Sequence, residues 1–113
     1  MQESPIFNRT HDLQLWLLRA TRNFPRDQRF VMAKRVQQQV FALQDHLVAA
    51  NRDKAHTPVH LLQADMALIS LRKSLLLCHQ LTLLTPGQYQ HVSQIDAEVG
   101  RLLGAWRKQP AGK

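Results

Sequence analysis

Six basic side chains fall within seventeen positions of this chain: Arg19, Arg22, Arg26, Arg29, Lys34 and Arg35. Asp27 is the one acid among them, which leaves a local balance of +5. The chemistry open to such a group is contact with phosphate. Arginine carries a planar fork that donates two parallel hydrogen bonds, and it stays charged at any accessible pH. The whole chain leans the same way, with 15 Lys and Arg against 8 Asp and Glu, a formal +7. That excess favours a polyanionic partner: RNA, DNA or an acidic protein surface. The plain alternative is a solvated face that keeps the protein soluble. Phe24 and Phe30 have the spacing of core residues, so contact with the nucleic-acid backbone is expected in preference to base stacking.

Other chemistry is thin. His56 and His60 have the i, i+4 separation of a metal pair, but they straddle Thr57-Pro58. No Cys or carboxylate is expected to complete the set, so surface histidines and no metal are the reading. His11, His46, His79 and His91 are scattered, and Asp12, Asp45, Asp53 and Glu98 read as surface or helix-end charges. The single Cys78 lies on an apolar stripe, which predicts a buried, inert thiol. A glycine-rich phosphate loop, a nucleophile with a paired base and a paired-carboxylate arrangement are all missing from the sequence. It predicts neither an enzyme nor a bound cofactor.

The elements that must position the basic group are all helical. Apolar periodicity and punctuation predict helices over about 10–24, 26–50, 58–84 and 86–108 within one domain, 1–113, after an irregular lead-in up to Asn8. Phe24-Pro25 breaks the first from the second, since proline disfavours helical geometry in the residue before it. Helix two is expected to bury Phe30, Ala33, Val36, Val40, Leu43 and Leu47 and to end at an Asn51 cap. Thr57-Pro58 and Thr85-Pro86 read as N-cap plus first helical residue, the second reinforced by Gln88 at capping-box spacing. Short connections make an up-down-up-down four-helix bundle the expected all-α architecture.

The third helix is the most apolar segment, and it has two apolar faces. Leu61, Ala64, Leu68, Leu71, Leu75 and Cys78 form one stripe, while Leu62, Met66, Ile69, Leu76 and Leu83 form a second. Asp65, Arg72 and His79 lie between them. One face suffices for a bundle, so the other predicts a further packing partner, such as a second copy of the chain. Asp65 and Arg72 lie about 10 Å apart along the axis, too far for a direct bond, so each is expected to meet a partner on another helix or subunit. On the last helix Tyr89, Val92, Ile95, Val99, Leu102, Leu103 and Trp106 face inward. Ser93, Ala97, Gly100 and Gly104 make a small-residue strip, and the two mid-helix glycines call for a packing reason. The tail from Gln109 to Lys113 carries no assignment.

Three stretches together carry a resemblance. The Phe24-Pro25-Arg26 turn followed by Arg29-Phe30, the Ala64-Asp65 to Leu71-Arg72 pair, and the run Glu98-Val99-Gly100-Arg101-Leu102-Leu103-Gly104-Ala105-Trp106 resemble the Avd family, the accessory variability determinants of diversity-generating retroelements. Related four-helix proteins encoded within ribosomal RNA intervening sequences share part of the pattern. The resemblance implies a barrel-shaped homopentamer that binds RNA and DNA and the element's reverse transcriptase, supporting error-prone cDNA synthesis without chemistry of its own. On it, Arg19, Arg22, Arg26, Arg29, Lys34 and Arg35 become the binding surface, and Asp65, Arg72, Gly100, Gly104 and Trp106 the packing and assembly set. The alternative is a structural bundle whose basic face meets an acidic protein or RNA. No apolar run exceeds four residues, so no membrane partner is expected. With no secretory segment in Met1 to Arg9, the expected location is cytoplasmic.

Overall fold

A computed structural model describes residues 4–110. The last three residues of the expected Gln109 to Lys113 tail and the first part of the lead-in lie outside the described residues. Within them the chain is all-α. Helix α1 spans Pro5–Thr21, α2 is the single turn Arg26–Gln28, and a π-helical stretch Arg29–Ala33 joins it to α3, Lys34–Arg52. A 3₁₀ turn, Lys54–His56, leads into α4, Thr57–Gln80, and α5 spans Pro86–Arg107. Helix α1 packs on α3 and α5, and α4 packs on α3 and α5, closing a four-helix bundle 46 Å long.

The apolar periodicity explains the core. Leu61, Ala64, Leu68, Leu71, Leu75 and Cys78 of α4 are all buried, against Leu13 and Leu17 of α1, Val36, Val40, Leu43 and Leu47 of α3, and Val92, Val99 and Leu103 of α5. Burial pushes the Cys78 thiol up to about 11, as expected of an inert core thiol. Polar groups inside the bundle tie helices together. Gln39 donates to the Ser70 carbonyl across α3 and α4, and Gln37 donates to the Thr21 hydroxyl, which itself donates to the Leu17 carbonyl.

Several helix ends differ from the expected ones. Helix α1 starts at Pro5, a proline at the first turn where its missing N–H is no loss, so Ile6 is core and the lead-in is shorter than expected. Helix α3 runs through Asn51 and stops at Asp53. Thr57 does not cap α4: its hydroxyl donates back to the Ala50 carbonyl at 2.8 Å, and His56 takes the N-cap position. Helix α4 ends at Gln80, four residues short of Leu84. There Leu83 N–H bonds the Cys78 carbonyl and Thr82 N–H the His79 carbonyl, with Thr82 at φ 61°, which is a Schellman closure. Leu84 is buried, but as a turn residue under the bundle. At Thr85 the expected box is present: its side chain accepts from Gln88 N–H at 3.1 Å, and the Gln88 side chain accepts from Thr85 N–H at 2.9 Å.

The largest correction is Phe30. It is 82% exposed, while Met32 and Ala33 are buried. Two causes combine. Measured from Val36 at roughly 100° per residue, Phe30 already lies about 120° from the centre of the core stripe. The π stretch then advances the chain by less than that per residue, so preceding side chains turn further outward. Phe24, by contrast, is buried at the end of α1, as its spacing suggested.

Candidate nucleic-acid interface

The turn between α1 and α3 positions the basic group. Arg19 and Arg22 close α1, Arg26 opens α2, Arg29 opens the π stretch, and Lys34 and Arg35 open α3. All six side chains are exposed. Among the described residues none of them has a carboxylate partner within ion-pair distance, although Arg9, Arg72, Arg101 and Arg107 do. Arg29 is the one with a structural task, since its Nε donates to the Phe24 carbonyl at 3.2 Å and holds the turn. Phe30 and Val31 stand exposed beside these cations. Leaving a phenylalanine in water forgoes about 1.5–3 kcal/mol of burial.

The packing set lies on α4 and α5. Arg72 on α4 donates from Nε to Asp96 Oδ2 at 2.9 Å, and Asp65 pairs with Arg107 at 3.1 Å, so both residues meet partners on α5. Asp96 sits at a core position, with its side chain only 7% exposed and Oδ1 without a protein partner. Burial pushes its carboxyl above the usual range, and the charge and hydrogen bond of Arg72 pull only part of the way back. Gly100 lies under the same guanidinium: a Cβ there would come within 2.2 Å of Arg72 Nη2. Gly104 meets nothing within 4 Å. Trp106 packs edge-on against Phe7 at 6.2 Å, joining the two terminal helices. Arg72, Tyr89, Ser93, Asp96, Gly100 and Arg101 line an open groove of about 630 Å³ between α4 and α5.

Two features went unforeseen. Asp96 was detectable, because Val92, Asp96, Val99 and Leu103 follow the i, i+4, i+7, i+11 spacing of one core face. Asp53 supplies the carboxylate that His56 and His60 were expected to lack, lying 2.9 Å from His56 Nδ1 and 2.9 Å from His60 Nε2. Hydrogen bonds from His60, then His56, hold the Asp53 carboxyl below its usual range. With both histidine nitrogens turned onto it, the cluster closes the α3–α4 turn as a bonded network. Among the described residues no group of His, Cys, Asp or Glu has the arrangement to hold a metal ion.

Beyond these sites, α4 keeps a second apolar stripe. Val59, Leu62, Met66, Ile69 and Leu76 are all exposed, at the 3- and 4-residue steps of a helix–helix seam, with Lys73 in the one remaining position. No helix of the described residues is long and apolar enough to cross a membrane. The described residues thus form a basic four-helix bundle whose cationic turn makes no ion pair among them and whose α4 keeps an exposed apolar stripe. The chain belongs to the bAvd-like family, whose model matches residues 5–110. That family points to an accessory protein of diversity-generating retroelements and is generally non-catalytic. No curated protein matches the chain.

Proposed function

We propose that this protein is the non-catalytic accessory subunit of a diversity-generating retroelement, binding nucleic acid and the element's reverse transcriptase during cDNA synthesis. The observation that carries the reading is the set of six exposed cations at the α1–α3 turn, with Asp27 the one acid among them and, among the described residues, no ion pair to any of the six. A solubility surface is ordinarily mixed in sign, whereas this one has a balance of +5. The seam on α4 supports assembly into a ring, and five chains at +7 each would carry a formal +35. Such a field attracts RNA and DNA largely without regard to sequence, leaving specificity to the polymerase and the RNA fold.

The test is charge reversal at Arg22, Arg26 and Arg35, three exposed residues without structural bonds; Arg29 is kept because it holds the Phe24 carbonyl. The triple Glu variant should lose RNA binding while keeping its helical signal and its mass by light scattering. Wild-type affinity should fall with salt at a log–log slope of about −0.7 to −0.9 per phosphate neutralised. A variant that binds RNA and polymerase with unchanged affinity and slope would refute the site. In the same measurement, a monomeric mass for the wild type, or an Ile69→Asp variant with undiminished mass, would remove the seam from the reading.

A further inference from the structure

Phe30 is the one large aromatic side chain that the fold turns almost wholly into solvent, at 82% exposed, and Val31 beside it is 61% exposed. It stands in the middle of the basic turn. Arg29 precedes it, Arg26 lies four residues before it and Lys34 four after, so cations occupy the neighbouring positions along the helix surface. The exposure is built in by the backbone: Arg29–Ala33 is π-helical, a rare geometry that recurs at functional sites.

Resting on the nucleic-acid reading above, we infer that Phe30 is a stacking platform for an unpaired base of single-stranded RNA or DNA. Two properties select this ligand. A partner here must bring negative charge to Arg26, Arg29 and Lys34 and also a flat apolar face to the ring. A single strand offers both within one nucleotide, a phosphate on one side of the sugar and a π-face on the other. A duplex offers only the phosphates, since its bases are already stacked on one another. An apolar protein surface lacks the charge, and a second copy of this turn would repel the first. The consequence is preference for single strands without preference for a particular base, because every base has a π-face.

The experiment compares wild type, Phe30→Ala and Phe30→Trp in binding to a 20-nucleotide oligo(U) and to an RNA duplex of equal length, at several salt concentrations. Phe30→Ala should weaken oligo(U) binding by about 5- to 150-fold, equivalent to 1–3 kcal/mol for one stacked base. Its duplex affinity and its salt slope should stay as they are, since no phosphate contact is lost. Phe30→Trp should keep oligo(U) affinity, and its added emission should be quenched by oligo(U) and not by duplex. Equal effects of Phe30→Ala on oligo(U) and duplex, or none on either, would overturn the stacking role and leave the nucleic-acid reading standing. Loss of oligomer mass in Phe30→Ala would make the ring a subunit contact and overturn it likewise. A wild type that binds neither RNA would bring down the parent reading as well.

Discussion

Replacing the two glycines of α5 by alanine should have unequal effects, although both lie within one helix. At Gly104 the new Cβ meets nothing within 4 Å, so the change should show the helix preference of alanine over glycine, a gain of about 1 kcal/mol. At Gly100 the same gain is opposed. The Cβ would sit 2.2 Å from Arg72 Nη2, the far end of a flexible side chain that is 45% exposed, so the guanidinium tip has to shift and the 2.9 Å bond from Nε to Asp96 is strained. Straining one such hydrogen bond costs about 1 kcal/mol. The net expectation for Gly100→Ala is a change near zero, leaving a gap between the two variants of about 1 kcal/mol, or roughly 4 °C in Tm. Urea unfolding at one fixed protein concentration measures it. The decisive control is an Arg72→Ala background, where nothing remains to clash and Gly100→Ala should stabilise by about 1 kcal/mol. If Gly100→Ala has the same effect with and without Arg72, the close approach of Arg72 is not what the glycine serves.

Two further outcomes follow from single features. Because burial raises the Asp96 carboxyl above its unfolded value of 3.8, the folded protein holds that proton more tightly than the unfolded chain; the contribution is favourable below 3.8 and is lost as pH rises through the folded pKa. Asp96→Asn should therefore gain stability relative to wild type as pH climbs from 3 to 7, and urea midpoints that run parallel across that range would contradict the assignment. Thr82 occupies left-handed backbone at φ 61°, so Thr82→Gly should stabilise by about 0.5–1 kcal/mol, and a loss of stability would show that its side chain contributes more than its backbone strain costs.

Much of the bundle could be read from the residues. The leucine spacing of α4 specified its buried stripe, and Thr85 with Gln88 specified the start of α5, because both signals are local and repeat a fixed geometry. The end of α4 was not legible. Leu81 to Leu84 look as helical as what precedes them, and the closure there depends on a threonine taking a conformation that glycine usually supplies. Phe30 differs on two counts: its spacing from Val36 already sets it off the core stripe, which the sequence does show, and the i→i+5 turn that carries it further out is not announced by residue types. The core position of Asp96 is legible from its spacing with Val92, Val99 and Leu103, but its partner is not, since Arg72 lies twenty-four residues earlier on another helix. The cations of the α1–α3 turn are plain from composition, but only the fold separates Arg29, which holds the turn, from its five exposed neighbours.

The π stretch also fixes the angular phase between two parts of one rod. From Lys34 onward, α3 is keyed to the core by Val36, Val40, Leu43 and Leu47. Arg26 and Arg29 are keyed to that frame only through the five residues Arg29–Ala33, which take up one residue more than α-helical turns would need. Deleting a single residue there would let the rod close as ordinary α-helix with both the bundle and the aim of the basic end kept, because four α-helical residues turn the chain by roughly 400°, about as far as five π-helical ones. A one-residue length difference between relatives is thus absorbed within the π stretch, without re-aiming the cations on the far side of it.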